Sequence, residues 1–417
     1  IRNCCKAPNC TSISTNCRPV IMNSLELDKI HRILIMQPAF IGDVVLITPL
    51  IRETKKLFPQ ATLDVLTNPI SAPILANNPN INRVIVHHKK RGSFRLYRLV
   101  RSLRKAGYDL AISPHSSFRS HLGLFLSGIP HRIGFDRGFL SSVLMNHRVP
   151  HGKGIHKRFK ILRLLKVLSE AEVDSSTELF PSEEDRAVAD SFLTEPGPWI
   201  AIAPGSVWWT KCWPLDHYEQ LCLELCQRGF KLVLVGGKDD HTRTQHIEEF
   251  CRAAMPSCRV VNAAGACSLL ESAAIMSRCE LLICNDSGSL HMANAMKVKV
   301  LSFFGPTVQS IGYFPFGEHD KVLEVDLDCR PCGSHGGRSC PQGHHHCMLD
   351  ISVEYALQTA LEMVPVIHER RRAKDKESNN ITDKKRMIPD NTVTDTGTAN
   401  PQPGNPASSN NLRDSLS

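Results

Sequence analysis

Four short segments gather carboxylates, an ammonium, hydroxyls, glycines and a histidine at the ends of apolar runs. In Gln37-Pro38-Ala39-Phe40-Ile41-Gly42-Asp43-Val44 a carboxylate follows a glycine where an apolar run ends and a helical period begins. Asp43 there is either a helix cap, favoured by the helix dipole, or a general base able to take a proton from a sugar hydroxyl. Gly42 can adopt backbone conformations closed to other residues. In Ala203–Pro214, Gly205, Ser206, Thr210 and Lys211 supply backbone N–H, two hydroxyls and an ammonium, the donors a diphosphate needs. The glycine spacing is not that of a P-loop. A plain solvated loop is the alternative, and the usually buried Trp208 and Trp209 beside the lysine speak against it. In Asn285-Asp286-Ser287-Gly288-Ser289-Leu290-His291, Asp286 or Ser287 can cap a helix and Gly288 admits a phosphate to the backbone. Capping explains the Asp and Ser but not His291, one turn further on. In Gly236-Gly237-Lys238-Asp239-Asp240, Asp239 suits either a ribose hydroxyl or a helix cap.

Each segment follows an apolar run that reads as a strand. The first series predicts strands at 32–36, 62–67, 83–87 and 109–113, with helices at 44–58, near 69–76 and at 94–105. The second predicts strands at 199–203, 232–235, 260–262, 281–284 and 298–304, with helices at 215–228, 240–254, 268–277 and 288–296. Strands alternating with helices of this length mean parallel sheets covered on both faces. The fold class is therefore α/β, with two Rossmann-like domains facing a cleft. We place them at 22–180 and 181–367, with 152–198 as the connecting region.

The flanks read differently. Residues 1–21 crowd Cys4, Cys5, Cys10 and Cys17 without hydrophobic period and precede Met22, so they read as an upstream extension. A small metal or disulfide knot is the competing reading. Residues 368–417 have almost no large apolar residues and have the composition of a disordered tail.

Of 417 residues, 42% are hydrophobic, yet no apolar run is long enough for a transmembrane helix. Charge divides unevenly. Residues 22–180 carry 24 Lys and Arg against 11 Asp and Glu, net +13, while 181–367 carry 14 against 23, net −9. One half is thus expected to meet something polyanionic. Aromatic residues make up only 6% and no nucleic-acid motif interleaves them, which argues against nucleic acid as a partner. The scattered Cys212, Cys222, Cys226, Cys251, Cys258, Cys267, Cys279 and Cys284 lack disulfide-scaffold spacing and fit a reducing, cytoplasmic compartment. Neither strand-to-helix turn has the Gly-x-Gly-x-x-Gly of a dinucleotide-binding dehydrogenase.

Together the segments resemble the lipopolysaccharide heptosyltransferase family of inverting, metal-independent GT-B glycosyltransferases. Ile41–Val44, His131-Arg132-Ile133-Gly134-Phe135, Thr210–Pro214, Asn285–Gly288 with His291, and Phe304-Gly305-Pro306-Thr307 occur in family order over residues 30–365. Spacing within Trp208–Pro214 is closer to heptosyltransferase II than to I. The resemblance implies ADP-heptose as donor and Asp43 as catalytic base. Lys211 and Thr210 would hold the diphosphate, with Asp286, Ser287, Gly288 and His291 lining the nucleotide site. Lys211 would also stabilise the departing ADP. Cys212 stands where the family often has a basic residue. Phosphorylated lipopolysaccharide core would be the acceptor, met by Arg119, Arg132 and Arg137 in the basic half. The helix 94–105, apolar on one face and basic elsewhere, either packs with a solvated face or rests on the cytoplasmic side of the inner membrane. Another nucleotide-sugar or acceptor, and a non-catalytic nucleotide-sugar-binding relative, stay open as alternatives.

Cys329-Arg330-Pro331-Cys332, Cys340, His344-His345-His346 and Cys347 form a final cluster. Cys329, Cys332, Cys340 and Cys347 could hold a structural zinc; free or redox-sensitive thiols are the other reading. No cofactor is expected for the transfer itself.

Overall fold

The computed structural model describes residues 27–88, 93–152 and 154–364, so the expectations for 1–21 and 368–417 lie outside the described residues. Two six-stranded, wholly parallel sheets organise the chain. In the first, β1 (Arg32–Met36), β2 (Thr62–Thr67), β3 (Arg83–Val86), β4 (Leu110–Ser113), β5 (His131–Asp136) and β6 (His147–Pro150) lie in the order β3-β2-β1-β4-β5-β6. The second contains β7 (Trp199–Ala203), β8 (Lys231–Leu234), β9 (Val260–Asn262), β10 (Leu281–Asn285), β11 (Lys299–Phe303) and β12 (Lys321–Leu323). Its order, β9-β8-β7-β10-β11-β12, repeats that of the first. Each sheet is therefore doubly wound, and its crevice opens where the strand order reverses, between β1 and β4 and between β7 and β10.

The central strands owe their place to continuous apolar runs. Ile33 to Met36, Ile200 to Ala203 and Leu281 to Cys284 are buried without a break, as strands covered on both faces must be. One apolar cluster runs from Ile33 and Ile35 of the first sheet through Leu164 and Leu168 to Trp199 and Val300 of the second. The connecting region contains α6 (Lys157–Leu162) and α7 (Glu183–Phe192), and α7 packs on α10 (Leu269–Ser277) of the second half. Arg52 ties the linker back to the first half, donating to the carbonyls of Asp174 and Ser176 and pairing with Glu178.

Three sequence expectations need correction. The single helix expected over 44–58 is two, α1 (Ile41–Val45) and α2 (Thr48–Leu57), because Pro49 has no N–H for a continuous ladder and starts the second one. The helix expected near 69–76 is a 3-10 turn, Ala72–Leu75, again beginning around a proline. β5, β6 and β12 were not foreseen, since short strands rich in His, Arg, Gly or Lys carry little apolar signal. The remaining helices of the first half, α3 (Ser93–Ala106), α4 (Phe118–Leu126) and α5 (Phe139–Leu144), cover its sheet. In the second half α8 (Leu215–Gln227), α9 (His241–Ala254), α11 (Gly288–Ala295), α12 (His346–Leu349) and α13 (Val353–Met363) do so.

The scattered cysteines lack disulfide-scaffold spacing and by sequence fit a reducing compartment, but Cys226 and Cys258 form a disulfide. Cys226, near the end of α8, is brought beside the segment entering β9 because β8 and β9 are neighbours.

Trp213 closes the second core. It is fully buried, stacks on Phe303 at 4.3 Å and donates its indole N–H to the Ile351 carbonyl at 3.0 Å. Trp213→Ala should cost about 3–5 kcal/mol of unfolding free energy in urea. A loss within experimental error would mean that this packing is not close.

Candidate functional site

Asp43 lies in α1, directly beyond the carboxyl end of β1. The cap residue of α1 is Phe40, not Asp43, because the helix begins at Ile41 and puts the aspartate inside its first turn. The carboxylate is thus left for other work. Tyr313 donates its hydroxyl to Asp43 Oδ1 at 3.0 Å. Burial, and then the Asp43 charge, raise the Tyr313 pKa well above its ordinary value, so the phenol stays protonated and donating. Lys157, at the start of α6, lies over the Tyr313 ring at 5.8 Å. Burial lowers its pKa while the Asp43 charge opposes that shift.

α1 meets the N-terminus of α11 across two glycines. A Cβ on Gly42 would stand 2.6 Å from His291 Cδ2, and one on Gly288 only 3.4 Å from Ile41 Cβ. Ser287 caps α11 by position, but its hydroxyl makes no cap hydrogen bond and is buried without a partner. His291 Nδ1 is likewise buried and unpartnered. Burial, aided by the Lys211 charge, pushes His291 down to about 3, so the ring is neutral at physiological pH. Ser287 Oγ and His291 Nδ1 are thus two unsatisfied buried polar atoms in the first turn of α11.

Lys211 enters from the loop after β7. Its ammonium meets Asp286 Oδ2 at 2.5 Å, and Thr307 donates to the same oxygen at 2.7 Å. Asn285, just before, accepts from the Trp213 amide at 2.9 Å and donates to the Pro204 carbonyl at 2.8 Å, locking the two loops together. Gly205 and Ser206 line the same turn. A Cβ at Gly205 would overlap the Asp240 carboxylate, which would have to move aside.

Several expected site residues are engaged elsewhere. The Thr210 hydroxyl is buried, accepts from the Gly337 amide at 2.7 Å and donates to the Gly337 carbonyl, so it faces the cysteine-rich segment and not a diphosphate. Asp239 is exposed, and the carboxylate that closes the Gly236-Gly237 turn is Asp240, accepting from the Gly237 amide at 2.9 Å. Burial raises the Asp240 pKa. Trp209 is half exposed and stacks on His345 at 4.5 Å, not buried as its type suggested. Arg132 donates to the main-chain carbonyls of Leu144, Ile129 and Pro130, which pins β5 in place and leaves little of its guanidinium for an acceptor. Arg119 lies in the first turn of α4, after β4. Arg137, after β5, is exposed and bonds His151 at 3.0 Å.

The cysteine-histidine cluster forms no metal cage: among the described residues no group of three or more His, Cys, Asp or Glu side chains is placed to hold an ion. Cys329 Sγ and His344 Nε2 are 4.0 Å apart, and Cys332 Sγ turns to the Cys329 carbonyl at 3.3 Å. Cys332, Cys340, Cys347 and His345 instead border a small cavity of about 90 Å³ beside Thr210. The segment's working residue is Arg330, whose buried guanidinium donates to the carbonyls of Phe304, Gly305, Val325 and Thr307 and pairs with Glu324. It thereby fixes the loop that aims Thr307 at Asp286.

Residues 96–340 match the model of glycosyltransferase family 9 (heptosyltransferase). The chain belongs to this family. Lipopolysaccharide heptosyltransferase 2 of Salmonella typhimurium is 27% identical over 351 residues, spanning 78% of this chain and 97% of its own length. Lipooligosaccharide heptosyltransferase 2 of Haemophilus influenzae is 28% identical, spanning 80% and 99%. The solved structure of E. coli ADP-heptose LPS heptosyltransferase II covers 80% of this chain and 98% of its own at 25% identity, with a TM-score of 0.65.

Sequence reasoning missed Tyr313, Lys157, Thr307 and Arg330. Only Thr307 carried a signal, as part of the Phe304–Thr307 motif. For a member of this family the glycine contact sets a sharp test. Gly42→Ala should cost about 1–3 kcal/mol of stability, because the buried His291 ring must give way. Heptosyl transfer should fall at least roughly tenfold, since small misplacements at a reacting centre are costly. Wild-type turnover by this variant would show that the close approach does not serve the reaction.

Proposed function

We propose that this chain transfers heptose from ADP-heptose to a hydroxyl of the lipopolysaccharide inner core, with inversion and without a metal. The observation carrying this reading is the meeting of Asp43, held by Tyr313, with the α11 N-terminus and its unpartnered Ser287 and His291. A base on one sheet thus stands beside an anion-binding end on the other.

Asp43 takes the proton of the acceptor hydroxyl as that oxygen bonds to the anomeric carbon. The bond from that carbon to the phosphate oxygen breaks on the opposite face, which inverts the configuration, and ADP departs. Tyr313 fixes the carboxylate rotamer. Lys211 has three N–H donors, of which Asp286 takes one, so two remain for phosphate oxygens. Its charge and the α11 dipole stabilise the negative charge gathering on ADP. The neutral His291 can donate or accept without adding charge. Gly205, Ser206 and Gly288 let the nucleotide approach the backbone.

The acceptor is anionic and lipid-anchored, which fits the cationic first half. No helix among the described residues is long and apolar enough to cross a membrane. We propose that the enzyme acts in the cytoplasm, in peripheral contact with the inner membrane.

Asp43→Asn should lower kcat by at least roughly a hundredfold, the usual contribution of a general base, with the Kd for ADP within about twofold of wild type. Lys211→Met should raise the Kd for ADP at least roughly tenfold. Near-normal turnover by Asp43→Asn would remove Asp43 from the mechanism. Chelation with EDTA should leave turnover unchanged, and a loss restored by added divalent metal would contradict the metal-independent reading.

A further inference from the structure

Beside Asp43 lies a group of cations that the transfer chemistry does not use. Lys157 and Lys160 are three apart on α6 and share a face. Lys160 is only 7% exposed. Among the described residues, neither ammonium hydrogen-bonds or ion-pairs with a carboxylate, although Lys157 feels the Asp43 charge. Burial lowers both pKa values, the Arg137 charge lowers both further, and the Lys157 charge adds to the shift at Lys160. His151, bonded to Arg137 at 3.0 Å, is pushed down to about 4 by burial and then by the same three cations, so it is neutral and adjoins all of them.

Crowded, half-desolvated like charges are unfavourable unless an anion joins them. Their position says which anion. The Lys157 amide donates to the Gly312 carbonyl at 2.7 Å, one residue before the Tyr313 that holds Asp43. Arg137 follows β5, on the same carboxyl edge of the parallel sheet from which Asp43 emerges after β1. The cations thus flank the base on the acceptor's half, while Lys211 and the α11 N-terminus belong to the other half.

We propose that Lys157, Lys160 and Arg137, with neutral His151, form an anion subsite that holds a carboxylate or phosphate of the acceptor next to its reacting hydroxyl. The proposal rests on the transferase reading above and adds the residues that recognise the acceptor's acidic group beside the base. The subsite would orient the sugar so that one hydroxyl alone reaches Asp43.

The test measures acceptor binding and transfer separately, using the full chain and heptose-deficient lipopolysaccharide core. The core is used intact, dephosphorylated, or with its carboxyls reduced to alcohols. Lys160→Met and Arg137→Gln should each raise the acceptor Kd and KM at least roughly tenfold while leaving the KM for ADP-heptose within about twofold. Lys160→Arg should restore most of the loss. The variants should also stop distinguishing the intact core from whichever stripped core lacks the recognised group, which identifies that group as carboxylate or phosphate. Arg137 lies at the exposed rim and supplies the comparison if Lys160→Met fails to fold. Unchanged acceptor affinity, or a rise in donor KM instead, would overturn the subsite. Anion-dependent binding without transfer would leave the subsite standing and strike the transferase reading.

Discussion

Gly42 and Gly288 set the separation on which the site depends. Each lacks a side chain where its helix meets the other, so α1 of the first sheet and α11 of the second touch almost backbone to backbone. That contact puts Asp43 beside the positive end of α11, lets the Tyr313 hydroxyl reach its carboxylate, and seals His291 into a neutral state. A methyl group at Gly42 would push Asp43 away from the α11 N-terminus. On the proposed mechanism, two doubly wound sheets with the same strand order share one reaction centre through this pair of glycines.

The second constraint is electrostatic. Lys211 and Asp286 are nearly sealed from water, and a buried pair is stabilising only when its geometry is fixed and its remaining valences are met. Here the Thr307 hydroxyl serves the carboxylate, and Arg330 holds the Thr307 loop by its carbonyls. Further along the same cysteine-rich segment, Gly336 and Gly337 lie against Trp208, Thr210 and Lys211. The segment is therefore a strut for the lysine.

Much of the architecture was legible because buried parallel strands announce themselves as unbroken apolar runs, and Asp43, Lys211 and Asp286 all follow such runs. What the sequence concealed were contacts between distant residues. Tyr313 and Asp43 are 270 positions apart, and a lone tyrosine in a loop carries no mark of the carboxylate it meets. Arg330 was hidden by its cysteine neighbours, which suggested ligand chemistry while the arginine held the loop. Thr210 misled in the opposite direction: a hydroxyl beside a lysine looks like a phosphate donor, yet the fold brings Gly337 to it first. Pro49 divided a helix that periodicity alone would have continued. The pairing of Cys226 with Cys258 depended on β8 and β9 being neighbours, which cysteine spacing does not encode.

The central claim is that base and leaving-group site act on one bond, so neither half should turn over donor alone. The most direct measurement is the rate of ADP release from ADP-heptose by the unaltered chain, with and without heptose-deficient lipopolysaccharide core, together with the anomeric configuration of the product. The account predicts release that depends on the core and a product of inverted configuration. Release at the same rate without acceptor, or a product of retained configuration, would contradict it.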